Sequence, residues 1–441
     1  MTWFQWRAIL ICVVLNMIDG FDVLVMAFTA QSVAAEWQLS GSTVGLLLSA
    51  GLFGLALGSL FVAPYADRFG RRPVVIVCLV IAGAGMVLSA VAQSALQLGL
   101  LRVLTGIGVG GILASTNVIA AEYASRRWRG MAVSLQATGY ALGATLGGLL
   151  AVALIGSWGW RSVFMVGGVV TLLVLVLVVF ALPESMDHLL TRRRPDALER
   201  VNRLVGRLGQ PPVEALPEPA RSTAVDSPGL ATLLAAPRRR TTLVLWAAFF
   251  LVMSGFYFVT SWTPTLLVDA GLSASGGITG GVLLNVGGMF GAIAFGALTA
   301  RLSIRTVVIS YLGISSVMLA LFIASAQALP LLVLVGVMIG MFLNGSIGGL
   351  YALTPTSYDA GVRATAMGAA IGVGRIGAIL APLAAGALLD GGATPQMLYI
   401  AVAGLVLLAG IVLFGLPRAR PGLTGQVDEV APAGLGDNDN R

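Results

Sequence analysis

The chain contains twelve apolar runs of about 20 residues, and these runs restrict its fold more than any other feature. A helix of about 20 apolar residues crosses the roughly 30 Å hydrocarbon layer of a bilayer. With 57% hydrophobic and 10% charged residues, the chain has far more apolar sequence than one water-soluble core can use. The sequence therefore predicts an all-α membrane protein with twelve transmembrane helices. The runs begin near Ala8, Thr43, Val74, Leu98, Met131, Ser162, Thr241, Ile278, Thr306, Leu329, Ala364 and Met397, and the last ends near Leu416.

The basic residues indicate the orientation of these runs. All 26 of them are arginines, and most lie in short segments between the runs. Loops rich in arginine stay on the cytoplasmic side of a membrane. With both termini in the cytoplasm, that side holds every arginine except Arg102, Arg161 and Arg375. The net charge of +7 is thus explained by topology and not by nucleic acid binding, and we expect a multi-pass protein of the cell inner membrane.

One long polar connection divides the runs into two sets of six. We predict an N-terminal six-helix bundle over 1–182, a cytoplasmic central loop over 183–240 and a C-terminal six-helix bundle over 241–417. A disordered cytoplasmic tail is predicted over 418–441, which is rich in Gly, Asp and Asn. Within the central loop, the apolar and charged residues of 186–208 predict a short amphipathic helix on the membrane surface.

Weak internal repetition indicates that the two sets of helices are duplicated halves, as in many transporters. Arg68, after the second run, has a counterpart in Arg301, about 233 positions later. Arg129, before the fifth run, has one in Arg363, about 234 positions later. The nearly constant offset agrees with the division into six plus six.

Two carboxylates, Asp19 and Asp22, interrupt the first apolar run. A charge at the bilayer centre costs at least a few kcal/mol, so charged residues within membrane spans occur mainly at functional positions. Residues three positions apart lie near one face of a helix, so both carboxylates can face one cavity. Because two close, desolvated carboxylates repel each other, one should hold a proton near neutral pH. The only histidine, His188, lies in the central loop, so Asp19 and Asp22 are the proton-coupling candidates. The alternative is a structural ion pair with a neighbouring arginine.

Three short segments resemble a known family. Residues 67–72 read DRFGRR, residues 158–161 read WGWR, and residues 183–185 read PES. In these segments the chain resembles the major facilitator superfamily, across essentially its whole transmembrane length. The resemblance implies two six-helix bundles that alternate access to a central site.

The resemblance also implies a gate at the cytoplasmic end. Asp67 can accept hydrogen bonds from helix N-termini or pair with arginine, which would latch the two bundles together. The alternative is that these charges serve topology alone. The residues to which we assign gating are Asp67, Arg68, Arg71, Arg72, Glu122 and Arg126.

Within that superfamily, residues 19–22 (DGFD) are similar to the signature of the aromatic acid:proton symporter family. Residues 102–111 (RVLTGIGVGG) and the pair Glu122-Tyr123 support this. The resemblance implies uptake of benzoate-like or hydroxybenzoate-like anions, or of related ring-fission acids, coupled to inward proton movement. Aromatic compound catabolism would then be its setting.

Arg102 and Arg375 lie inside predicted spans and are candidate ligands of a substrate carboxylate. Arg102 is at a depth similar to that of Asp22, and the resembling fold makes the first and fourth helices neighbours. Protonation of Asp22 would then free Arg102 for the substrate. Arg375 lies about 16 Å into the eleventh span, where a carboxylate can satisfy it with two parallel hydrogen bonds. The alternatives are a structural role for Arg102, and for Arg375 a salt bridge to a first-half aspartate or capping of backbone carbonyls.

An aromatic acid also requires an apolar slot with a few polar groups. Aromatic and amide residues within the spans are the candidates, although helix packing explains them as well. These candidates are Asn117, Gln136, Tyr140, Phe256, Tyr257, Trp262, Asn285, Asn344 and Tyr351.

We therefore expect a secondary active transporter that couples proton movement to uptake of an aromatic carboxylate. Its partners would be the small acid, protons and the lipid bilayer, with no nucleic acid, no metal and no cofactor besides the proton gradient, and we expect a monomer. Other acids such as muconate or phenylpropionate, a proton antiporter that exports small molecules, and a non-transporting sensor remain alternatives. An enzyme is not expected, because the sequence has no metal-binding cluster, phosphate loop or nucleophile elbow.

Overall fold

The computed structural model describes residues 1–125, 128–192, 197–207, 211 and 230–417. Within these ranges twelve helices are long and apolar enough to cross a membrane, which confirms the predicted all-α membrane fold. Each begins within five residues of its predicted start. The helices are α1 (Trp3–Trp37), α2 (Gly41–Ala66), α3 (Arg71–Ala90), α4 (Ala95–Tyr123), α5 (Arg129–Trp158), α6 (Trp160–Ala181), α7 (Arg239–Asp269), α8 (Ala274–Thr299), α9 (Ile304–Phe322), α10 (Leu329–Thr356), α11 (Arg363–Asp390) and α12 (Pro395–Leu413).

Several helices extend beyond the apolar runs because polar residues cap their ends. At the start of α1, the Gln5 backbone N–H donates to the Thr2 hydroxyl, and the Gln5 side chain accepts from the Thr2 backbone N–H. The longer helices place Glu36, Asp269 and Asp390 in the last turns of α1, α7 and α11. These three acids therefore lie within membrane helices, although they are outside the apolar runs counted in the sequence.

The two halves repeat one close contact between helices. A Cβ atom built on Gly143 of α5 would lie 1.9 Å from the carbonyl oxygen of Met17 in α1. A Cβ atom built on Gly377 of α11 would lie 2.5 Å from the carbonyl oxygen of Phe250 in α7. Only glycine permits backbones to approach so closely. The crossing of α1 with α5 is therefore repeated by that of α7 with α11. The two glycines are separated by about 234 positions, the same offset as Arg129 and Arg363.

The two halves meet through α2 with α11, α5 with α8 and α1 with α7. The Ser49 hydroxyl of α2 donates to the carbonyl of Ile379 in α11 at 2.8 Å. Nearer the end of α11, Asp390 accepts hydrogen bonds from the backbone N–H groups of Gly41 and Ser42, at 2.6 and 2.9 Å, and from the Ser42 hydroxyl. We call this contact between α2 and α11 the seam. It closes the arginine-poor end, which is the end opposite both termini.

The central loop differs from its prediction. Two helices, Met186–Arg192 and Ala197–Arg207, replace the single amphipathic helix expected over 186–208. Their apolar side chains pack on one another, with Leu189, Val201 and Val205 buried in one cluster. Packing between two short helices therefore covers the apolar face that was predicted to lie on the membrane. The predicted tail over 418–441 and most of the linker before α7 lie outside the described residues.

Candidate functional site

A buried ion pair joins α1 to α4. The Arg102 Nη1 atom donates to Asp22 Oδ1 at 3.0 Å, and Arg102 Nη2 donates to the Ser89 hydroxyl at 3.3 Å. The guanidinium carbon also lies 4.9 Å from the ring centroid of Phe164, a cation–π contact. Arg102 is 1% exposed and Asp22 is 5% exposed. Because neither charge reaches water, loss of one leaves the other uncompensated.

The ion pair is not saturated with hydrogen bonds. Arg102 Nε is buried and has no partner among the described residues. An orphan donor on a buried cation has a free energy cost, which another acceptor can remove. The pair can therefore accept an anion without first losing all of its internal bonds.

Asp19 lies one helical turn before Asp22 and has a different environment. It is 5% exposed, and its Oδ1 atom has no hydrogen-bond partner within the described part of the chain. The Asp19 carboxyl group interacts electrostatically with the charges of Arg375 and Asp22. A buried carboxylate oxygen without a donor is better satisfied when the group is protonated.

Arg375 connects the second half of the chain to Asp19. Its guanidinium makes no hydrogen bond among the described residues, although Tyr140, Tyr257 and Tyr351 all lie within electrostatic range of it. These five residues, Asp19, Tyr140, Tyr257, Tyr351 and Arg375, form what we call the central cluster. The cluster combines helices of both halves, α1 and α5 with α7, α10 and α11. It thus combines three tyrosines with a cation that has no hydrogen bond among the described residues.

The tyrosines of the central cluster differ in their contacts. The Tyr140 hydroxyl is buried without a partner in the described chain. Tyr257 packs edge-on against Phe256, with ring centroids 5.2 Å apart, and Tyr351 packs against Phe249 at 5.7 Å. The Tyr140 hydroxyl is therefore free to bond a ligand, while the other two rings are oriented by neighbouring aromatic residues.

Three of the other candidate residues make contacts within the protein instead. Trp262 is 1% exposed and donates from Nε1 to the Pro382 carbonyl at 3.1 Å, so it packs α7 on α11. Gln136 is buried, and its side chain donates to the Thr116 hydroxyl at 3.5 Å. Asn117 is exposed and donates to the carbonyl of Leu113 in its own helix.

Asn285 and Asn344 lie apart from these three, in a small cavity between α7, α8 and α10. Phe256 and Thr260 also line it. The cavity therefore shares Phe256 with the surroundings of the central cluster.

Three of the predicted gating residues, Arg71, Arg72 and Glu122, bond to nearby segments of the first half of the chain. Glu122 pairs with Arg71 at 3.2 Å and accepts hydrogen bonds from the Ser185 hydroxyl and the Met186 N–H. Glu184 accepts from the backbone N–H groups of Arg71 and Arg72 at the start of α3, at 2.8 and 3.1 Å. These bonds join α3 and α4 to the segment after α6. Arg68 is exposed, whereas the Asp67 side chain and Arg126 lie outside the description, so the latch between halves stays a prediction.

Sequence reasoning missed several residues that complete these sites. Ser89 and Phe164 surround Arg102, but serine and phenylalanine are common in membrane helices and gave no signal. Glu184 could have been found, because it belongs to the PES segment that carries the family resemblance. Glu36 accepts from Arg161 at 2.7 Å and from Trp160 at 2.6 Å, and it was missed because α1 was expected to end earlier.

Comparison with known proteins agrees with this architecture. The family model of the major facilitator superfamily matches residues 9–325 and 287–435. A gallate transporter of Pseudomonas putida is 34% identical over 423 residues, covering 95% of this chain and 93% of the relative. The 4-hydroxybenzoate transporter PcaK of Pseudomonas aeruginosa is 30% identical over 380 residues, covering 86% and 84%.

Solved structures show the same fold at lower identity. A bacterial homologue of the human lysosomal transporter Spinster, in an inward-facing and occupied conformation, has a TM-score of 0.75 at 19% identity. The match covers 95% of this chain and 98% of that one, and it shows the fold alone. Together with the family match and the relatives, it shows that the chain belongs to the major facilitator superfamily, as a membrane transporter related to aromatic acid transporters and not as an enzyme.

Proposed function

We propose that the chain is a symporter that uses the proton gradient to take up an aromatic carboxylate. One observation carries the proposal: a buried acid–arginine pair in the first half lies beside a cluster in which Arg375, from the second half, has no hydrogen bond in the described chain. Arg375 can bind a substrate carboxylate, and a proton can replace Arg102 as the partner of Asp22. Relatives that transport gallate and 4-hydroxybenzoate support this substrate class.

The proposed coupling begins with the bond between Arg102 and Asp22. When Asp22 is protonated, it no longer balances the guanidinium, and the buried cation favours an incoming anion. Binding of the substrate carboxylate and of the proton therefore strengthen each other. Asp19, which lacks a donor, either holds the proton itself or sets the affinity of Asp22 for it. With one proton per monovalent anion, loading leaves the net charge of the carrier unchanged, and the transport cycle is electroneutral.

The substrate ring would occupy the space among the tyrosines of the central cluster. Arg375 would take the carboxylate with parallel hydrogen bonds, and the free hydroxyl of Tyr140 would add a third. Because Arg375 belongs to the second half and Tyr140 to the first, an acid bound to both would draw the halves together. In this proposal the bundles 1–182 and 241–417 move about the site within the cell inner membrane, as a monomer.

The test is uptake into proteoliposomes of labelled benzoates, hydroxybenzoates, phenylpropionates and muconate, with and without an inside-alkaline pH gradient. We expect aromatic acids to accumulate only with the gradient, and to acidify the lumen as they enter. Preferred accumulation of muconate would indicate the alternative acid class. Lumen alkalinisation on substrate entry would indicate an antiporter, and binding without flux would indicate a sensor.

A further inference from the structure

The small cavity between α7, α8 and α10 combines polar and aromatic walls. It is lined by Phe256 and Thr260 of α7, Asn285 of α8 and Asn344 of α10, with aliphatic side chains around them. Its free space is about that of one water-sized group. The cavity is thus too small for an aromatic ring and suits a single small substituent.

The polar groups in this cavity have unused hydrogen-bonding capacity. Asn285 is 5% exposed, and its Nδ2 donates to the Gly281 carbonyl of its own helix at 3.0 Å, which leaves Oδ1 as an acceptor. The Thr260 hydroxyl donates to the Phe256 carbonyl at 2.9 Å and can still accept. Asn344 is half-buried and makes no hydrogen bond among the described residues. The Asn344 amide and the Asn285 Oδ1 atom are therefore available to a ligand, which can supply hydrogen bonds that the described protein groups do not.

The cavity lies beside the central cluster. Its wall residue Phe256 packs edge-on against Tyr257, with ring centroids 5.2 Å apart. Tyr257 in turn lies within electrostatic range of Arg375. An acid whose carboxylate binds Arg375 and whose ring packs on Tyr257 would have Phe256, and the cavity that Phe256 lines, beside that ring.

We infer that this cavity binds a ring hydroxyl and makes the transporter selective for hydroxylated aromatic acids. A phenolic hydroxyl donates one hydrogen bond and accepts others, so it can donate to Asn285 Oδ1 or Thr260 Oγ1 while accepting from the Asn344 amide. An unsubstituted ring leaves these groups unpaired, which lowers its affinity. The inference rests on the proposed function, because it assumes that the carboxylate binds in the central cluster.

The experiment compares uptake of benzoate, 3-hydroxybenzoate, 4-hydroxybenzoate and 4-methoxybenzoate into proteoliposomes. For the unmodified chain we expect at least one hydroxybenzoate to be preferred over benzoate by about tenfold or more in apparent affinity. The methoxy compound should be disfavoured, because its methyl group exceeds the space and removes the donor. Asn344→Leu and Asn285→Leu should bring the ratio of hydroxybenzoate to benzoate close to one.

Two threonines provide a matched control. Thr260→Val removes a hydroxyl from the cavity wall, whereas Thr279→Val removes one that is exposed on α8 and bonds only the Ser275 carbonyl of its own helix. Thr260→Val should lower the hydroxyl preference, and Thr279→Val should leave it unchanged. Where a variant transports too slowly to assay, calorimetric binding of both acids to purified protein gives the same ratio.

Failure of the inference and failure of the proposed function look different. If the unmodified chain takes up no aromatic acid, the proposed function is wrong. If it takes up aromatic acids with equal affinity for benzoate and both hydroxybenzoates, the hydroxyl subsite is wrong while the function stands. An unchanged preference in both asparagine variants would also overturn the subsite.

Discussion

At the scale of single residues, the ion pair of Asp22 and Arg102 is the basis of the proposed coupling between proton and substrate. The desolvation free energy of two buried charges exceeds their mutual attraction, unless additional hydrogen bonds or ring contacts stabilise them. Ser89 and Phe164 supply two such contacts, and Arg102 Nε still lacks a partner. In the proposed cycle, this unbonded donor is available to the carboxylate of the substrate.

We expect Asp22→Asn to abolish proton-driven accumulation of substrate. The variant removes the titratable group and leaves Arg102 without its balancing charge. Breaking a buried ion pair in this way lowers the free energy of unfolding by about 3–5 kcal/mol. Accumulation in proteoliposomes under a pH gradient measures the effect. Asp269→Asn, at the exposed last residue of α7, is the control and should accumulate substrate normally. If Asp22→Asn still concentrated the acid as the unmodified chain does, Asp22 would not be the coupling residue.

A second residue-scale prediction concerns Arg375. Arg375→Ala should weaken binding of the aromatic acid about tenfold or more, because hydrogen bonds to a charged group contribute about 1.5–3 kcal/mol. The uncharged amide of the same acid should lose much less affinity. Titration calorimetry with both ligands measures the difference, and Arg301→Ala, exposed at the arginine-rich end, is the control. Equal losses for acid and amide would contradict the role given to Arg375.

The charged residues of the site could be predicted from sequence, while their surroundings could not. Asp19, Asp22, Arg102 and Arg375 are conspicuous because a charge within an apolar run is energetically expensive. The contact between Arg102 and Ser89, by contrast, depends on how α3 and α4 cross. For the same reason Trp262 could be predicted to lie within a span, but a slot could not be distinguished from a packing position.

At the scale of helices, close crossings at glycine hold α1 against α5. We expect Gly143→Ala to destabilise the protein by about 1–3 kcal/mol, because the added Cβ would lie 1.9 Å from the Met17 carbonyl oxygen. Gly156→Ala in the same helix is the matched control, since nothing lies within 4 Å of its Cβ position. Thermal unfolding in detergent measures both. An unchanged melting temperature for Gly143→Ala would show that α1 can shift to accommodate the methyl group.

The existence of the helices followed from apolar runs, but their ends did not. Capping hydrogen bonds and packing extend α1 to Trp37 and α11 to Asp390, past the apolar sequence. Likewise, the amphipathic pattern of 186–208 was recognised, yet periodicity alone could not show that two helices cover each other. Element type depends on local sequence, whereas element length depends on partners that are distant in sequence.

At the scale of the whole molecule, the seam between α2 and α11 closes the arginine-poor end. In the Asp390→Ala variant we expect the seam to be open for a larger fraction of the time, because three hydrogen bonds to the start of α2 are lost together. A Ser49→Cys reporter in the seam should then react severalfold faster with a maleimide. The background is low, since the two native cysteines, Cys12 and Cys78, are buried.

Asp359→Ala provides the comparison for this experiment. Asp359 pairs with Arg238 at 3.0 Å within the second half, at the opposite end of the molecule. Its loss should leave the reactivity of the Ser49→Cys reporter unchanged. If both substitutions increased the reaction rate of the Ser49→Cys reporter equally, the increase would reflect general destabilisation of the protein and not opening of the seam.

The composition of the seam has a consequence for how the carrier responds to membrane voltage. Its described contacts are backbone groups, hydroxyls and small side chains, and its one carboxylate, Asp390, is exposed at the rim. An elementary charge that crosses the full field gains about 2.3 kcal/mol per 100 mV, but separating these contacts carries no such charge through the membrane. Separation of the seam should therefore be electrically silent, and in the proposed symport it would add nothing to the charge carried by protons and anions.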